Sequence, residues 1–162
     1  MPTTPTDTVR HTLDLPDEAA TAALARRLAP RLRPGDVLAL RGDLGAGKTA
    51  FARAMIRALL DDADAEVPSP TFTLVQVYDT PALAVWHFDL YRLSGPDEVE
   101  ELGWDEAAGG VALVEWPDRL GPLLPADRLE LTLSAGPAPG SRRAELAGFG
   151  AAAARLAAGD PA

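Results

Sequence analysis

Residues 42 to 49 read GDLGAGKT, and these residue types at this spacing suit one chemistry. Glycines let a backbone turn its N–H groups inward, a lysine brings a compact charge on a flexible stem, and a threonine brings a hydroxyl. The pattern G-x-x-x-x-G-K-[ST] predicts a phosphate cradle from Gly42, Asp43, Leu44, Gly45, Ala46 and Gly47. Lys48 would meet the β- and γ-phosphates, and Thr49 would offer its hydroxyl to Mg²⁺. Lysine and arginine together number 15, and Lys48 is the only lysine among them. Arginine's planar fork would not fit the same space. That requirement explains why a chain otherwise reliant on arginine keeps a lysine here.

A phosphate cradle also needs an acidic group at the end of a neighbouring strand. Two apolar runs end in one: VALVE at Glu115 and LAVWHFD at Asp89. One of the pair would contact Mg²⁺ or its water shell while the other orients an attacking water. Ser69-Pro70-Thr71-Phe72 follows the helix behind the loop, which puts Thr71 where nucleotide switches sense a γ-phosphate. Guanine readers use an Asn-Lys-x-Asp loop, and this chain has no asparagine and no second lysine. ATP is therefore the expected nucleotide. Asp118 to Gly121 (DRLG) imitates another switch motif but lies beyond the strand, after Pro117, and is discounted. His87, between Trp86 and Phe88, is expected to be structural.

The elements that must position these groups follow from periodicity. Val9 to Leu15 alternates as a strand, and Asp17 is placed to cap a helix running to Leu32. Asp36 to Arg41 is an apolar strand feeding the loop, and a helix runs from Lys48 to about Leu60. Phe72 to Tyr78 and Leu83 to Phe88 resemble a hairpin. Pro96 to Gly103 starts an acidic helix whose charges, Asp97 to Glu101, form a solvated face. Strands are expected at Val111 to Val114, Arg128 to Leu133 and Arg142 to Leu146. Strands interleaved with helices, plus a hairpin, indicate an α/β fold with a mixed central sheet.

Composition narrows the class. A chain of 162 residues suits a single domain, 1–162, with 1–8 and 150–162 expected to be frayed or flexible. There is no cysteine, hence no disulfide framework and no thiolate metal site. No apolar run reaches the length of a membrane span, so the expected compartment is the cytoplasm. A net charge of −9 argues against a chain that grips nucleic acid by itself.

Behind GDLGAGKT, the blocks SPTFTLV, HFDLYRL and VEW-P occur in an order that resembles the bacterial TsaE family, also called YjeE. PDEAAT before the first helix is similar to that family's opening, and the resemblance covers roughly residues 13 to 133. It implies a P-loop NTPase-like three-layer sandwich and an ATPase needed to make threonylcarbamoyladenosine in tRNA. It further implies partners TsaB and TsaD, with TsaD performing the transfer, so that tRNA is met only indirectly. By the same resemblance Thr49 and Glu115 hold Mg²⁺, Thr21 lies at the nucleotide, and Asp89 matters for hydrolysis. Trp116 should lie beside the nucleotide. Towards the C-terminus the resemblance weakens, and Arg142 or Arg143 is the candidate nucleotide contact there. A small P-loop kinase acting on a metabolite is the alternative, although such kinases need an arginine-rich lid and the arginines here are scattered.

Overall fold

The computed structural model describes residues 9–43 and 45–151. Residues 1–8, Leu44 and residues 152–162 lie outside the described residues. With them lie the expectation for the chain ends and the place of Leu44 in the cradle.

Strand β1 (Val9–Leu15) alternates between half-buried and exposed positions, as an edge strand does. The Asp17 side chain accepts the Ala20 N–H at 2.9 Å and opens helix α1 (Glu18–Leu28). That helix stops short of Leu32 because Pro30 cannot donate, and Ala29–Arg31 tighten into a 3-10 turn. Strand β2 (Val37–Arg41) is buried almost throughout. Helix α2 (Lys48–Leu60) buries Phe51, Ala52, Met55 and Ile56 along one stripe. Each of the larger three contributes about 1.5–3 kcal/mol by leaving water.

Strands β3 (Val75–Asp79) and β4 (Ala84–Asp89) pair antiparallel as a hairpin. The expected strand from Phe72 therefore begins later. Leu74 is left-handed (φ 70°), and its N–H bonds the Pro70 carbonyl at 2.6 Å, curling residues 70 to 74 into a turn. The acidic helix α3 (Pro96–Glu101) is also shorter than expected, because Gly103 at φ 96° starts a separate turn, α4 (Trp104–Ala107). Its carboxylates are exposed, as the sequence implied. Strand β5 (Val111–Glu115) is wholly buried. A 3-10 segment, Pro117–Leu123, comes next, and strands β6 (Arg128–Ala135) and β7 (Arg142–Phe149) finish the sheet.

Among the described residues the sheet has seven strands in the order β1-β7-β6-β2-β5-β4-β3. The central four, β6, β2, β5 and β4, run parallel. Antiparallel neighbours extend both sides. Helices α1 and α2 cover one face over Leu38, Leu40, Leu113, Leu129 and Leu131. On the opposite face α3, α4 and the 3-10 segment cover Val37, Phe88, Ala112 and Val114. The result is a three-layer α/β sandwich with a mixed sheet. No described helix is long and apolar enough to cross a membrane.

Candidate active site

In open α/β sheets a ligand sits beyond the carboxyl ends of the parallel strands. Three central strands deliver the predicted groups to that edge. β2 ends at Arg41 and passes straight into Gly42. On β5, Glu115 is the register partner of Leu40 on β2 and of Asp89 on β4. Glu115 and Asp89 are thus adjacent, beside the loop that β2 feeds.

The loop's path requires its glycines. A Cβ on Gly42 would stand 2.6 Å from the Leu133 carbonyl oxygen, and its φ is +144°. Gly47, at φ +108°, ends the loop and caps α2. Lys48 follows in the first turn of α2, and its Nζ donates to the Gly42 and Asp43 carbonyls at 2.5 and 3.0 Å. The same Nζ lies 4.2 Å from the centre of the Trp116 ring. Burial pushes the Lys48 ammonium below its usual value, and the fields of Glu115, Asp89 and Asp43 pull it part of the way back. Two carbonyls and an aromatic face are soft partners for a buried cation. Phosphate oxygens would be better ones.

Thr49, next along, places its Oγ1 2.9 and 3.1 Å from the two Glu115 oxygens. The hydroxyl donates to the carboxylate, which leaves its own lone pairs free. Glu115 is buried, and its second oxygen also lies 2.7 Å from His87 Nε2. These are hard oxygen donors in a small number. Among the described residues, no group of three or more His, Cys, Asp or Glu is gathered to cage a metal. A hydroxyl and a carboxylate that leave most positions to phosphate and water fit magnesium.

Asp89 is buried and accepts the Tyr91 N–H at 3.1 Å on one oxygen and the Thr71 hydroxyl at 3.4 Å on the other. Ser69 and Thr71 hydroxyls lie 2.8 Å apart. The 70–74 turn thus brings Thr71 to the second carboxylate. Trp116 is left-handed (φ 61°), which turns its ring to lie 4.9 Å from Tyr91 and above Lys48. Phe72, 85% exposed, stands beside this cluster with Arg92 5.4 Å from its ring.

Arg142 and Arg143 part ways. Arg143 pairs with Asp14 at 3.5 Å on the surface. Arg142 reaches the loop, with Nε 2.7 Å from the Ala46 carbonyl and Nη2 3.1 Å from that of Gly45. Its fork thus ties β7 to the loop through those two carbonyls. Thr21, Gly47, Ala50 and Arg142 line a cavity of about 360 Å³ between α1 and the loop. A larger hollow of about 840 Å³ lies at the far end of α2, lined by Ala22, Ala58, Leu59 and Asp61, and takes in none of the predicted residues.

Two groups of partners were not foreseen. The His87 contact with Glu115 depends on strand alternation that places residues 85, 87 and 89 of β4 on one face. Arg41 is clamped on the opposite face by Glu130, at 3.0 and 3.2 Å, and by Asp118, at 2.5 Å. Arg128 adds a bond to Glu130 at 2.6 Å. Burial tends to raise the Glu130 carboxyl, but the bonds and charges of Arg41 and Arg128 outweigh it and hold it below the usual range.

Comparison with known proteins matches residues 15–144 to the family described as threonylcarbamoyl adenosine biosynthesis protein TsaE. A Rickettsia felis protein named tRNA threonylcarbamoyladenosine biosynthesis protein TsaE is 43% identical, over 75% of this chain and 71% of its own. A Bacillus subtilis protein of the same name is 43% identical, over 70% of each chain. Among solved structures, Bacillus subtilis YdiB superposes with a TM-score of 0.71 at 30% identity, covering 88% of both chains.

Proposed function

The chain belongs to the TsaE family, and on that premise we propose that it is the ATPase subunit of tRNA threonylcarbamoyladenosine biosynthesis. The observation that carries the chemistry is the Thr49–Glu115 contact at 2.9 Å beside the Lys48 ammonium. It sets a magnesium-suited oxygen pair next to a phosphate-suited cation at one loop.

The triphosphate lies along Gly42 to Thr49, and Lys48 exchanges its two carbonyl partners for β- and γ-phosphate oxygens. Thr49 and Glu115 would hold Mg²⁺, which would supply positive charge to offset those oxygens. Thr21 and Arg142 border the cavity that receives the nucleoside end. Asp89 orients a water for in-line attack on the γ-phosphate, and Thr71 reports the γ-phosphate through its bond to Asp89. Trp116 lies against the nucleotide once Lys48 has left its ring. Lys48 and the loop N–H groups stabilise the charge that moves to the leaving oxygen.

Arg142 is committed to loop carbonyls and supplies no charge to the γ-phosphate. Hydrolysis by the chain alone is accordingly slow, and partner proteins raise it. Those partners are TsaB and TsaD, whose transferase cycle is driven by ATP binding and hydrolysis here. The acidic chain meets tRNA only through them, in the cytoplasm.

The test is ATP hydrolysis by the purified chain, alone and with TsaB and TsaD, beside a Lys48→Ala control. Slow turnover, stimulated by the pair and lost in the control, is the expected result. Full activity in Lys48→Ala would overturn the P-loop assignment. A phosphorylated metabolite appearing with ADP would favour a kinase instead.

A further inference from the structure

Glu115 is held from two sides. Thr49 reaches it from the first turn of α2, and His87 reaches it from β4, one alternation short of Asp89. The His87 ring is fully buried, and its Nδ1 has no hydrogen-bond partner among the described residues. That asymmetry assigns the proton. With hydrogen on Nε2, the ring donates to the carboxylate and only a lone pair is left unpaired. With hydrogen on Nδ1, a buried N–H would lack an acceptor, and lone pairs would face each other across 2.7 Å.

We propose that His87 is a positioning residue for the metal-binding carboxylate, fixing the plane of Glu115 through its Nε2–H so that Thr49 and a magnesium ion meet it correctly. This rests on the reading of Glu115 as the magnesium carboxylate. A ring N–H suits the task because it bonds one carboxylate oxygen and leaves the other to Thr49 and the ion. Partners that orient a ligating carboxylate are worth roughly 10–100-fold in metal affinity.

The experiment is calorimetric binding of a non-hydrolysable ATP analogue to the full chain across a MgCl₂ series, with an EDTA reference. His87→Leu should raise the magnesium concentration at half-maximal enhancement about tenfold or more, while affinity in EDTA stays as in the parent. His87→Gln, which keeps a side-chain N–H donor, should recover most of that shift. An unmoved midpoint in His87→Leu overturns the proposal, as does an equal shift in the Gln and Leu variants. Glu115→Ala in the same series separates the two readings. If its midpoint shifts while that of His87→Leu does not, His87 alone is misassigned. If neither moves, Glu115 is not the magnesium group and both readings fall. Nitrogen-15 spectra of the parent protein give a check that needs no variant. A neutral ring protonated on Nε2, whose signal moves when magnesium and the analogue bind, supports the proposal, and a proton on Nδ1 overturns it.

Discussion

Lys48 and Glu115 carry opposite charges in one small volume, yet each is held by other partners. Carbonyls and a ring hold the first, and a hydroxyl and an imidazole hold the second. Shape matters there as much as charge, so Lys48→Arg should weaken binding of an ATP analogue about tenfold or more by calorimetry, despite keeping the charge. Parent-like affinity would contradict that. Glu130 gives a prediction of another kind. Its carboxyl titrates lower in the folded chain than in the unfolded one, so the unfolded chain binds more protons between those two values. Its contribution is therefore complete above the ordinary glutamate range and is lost as pH falls through the lowered value. Glu130→Gln should cost about 2 kcal/mol in urea denaturation at neutral pH, and much less in acid. A pH-independent cost would refute the linkage. The residue types of the site were legible in the sequence, because GDLGAGKT and two strand-end carboxylates announce themselves. Their partners were not. His87 and Arg41 lie 28 and 89 residues from the carboxylates they bind, and no local pattern encodes such a meeting.

At the scale of elements, strands declare themselves through apolar runs, while the turns between them obey geometry that composition only hints at. Asp17 caps its helix where its type and position require. The start of β3 misleads because FTLV has a strand's composition, whereas Thr71 reaches Asp89 only if the chain curls at Leu74. Gly103 and the prolines at 117 and 122 similarly divide the chain on either side of β5 into short pieces. The loop itself depends on another element, since Arg142 of β7 holds the carbonyls of Gly45 and Ala46. Arg142→Ala should reduce nucleotide affinity about tenfold with little change in secondary structure by circular dichroism. Arg142→Lys should recover little, because a single ammonium does not reproduce the fork. Full recovery by lysine would show that charge, not geometry, is what the loop needs.

For the whole molecule, ligand binding and stability are one equilibrium. An analogue with magnesium at 100 times its dissociation constant should add about 2.7 kcal/mol, a rise of roughly 5–10 °C in Tm for a chain of this length. Lys48→Ala should abolish the rise, and a surviving shift would place the ligand elsewhere. A net charge of −9 also predicts that association with a basic partner surface slows as salt is added. A salt-independent association rate would remove electrostatic steering. The sheet's order has one more effect, on the protein's synthesis. Among the described strands β1 pairs only with β7, the last of them to be made, and β7 also carries the arginine that braces the glycine-rich loop. A growing chain on the ribosome has every residue from Gly42 to Asp89 in hand long before Arg142 emerges. Until then its first strand waits without that neighbour and its loop stands unbraced. The emergence of β7 is thus the step that gives β1 its neighbour and the loop its brace.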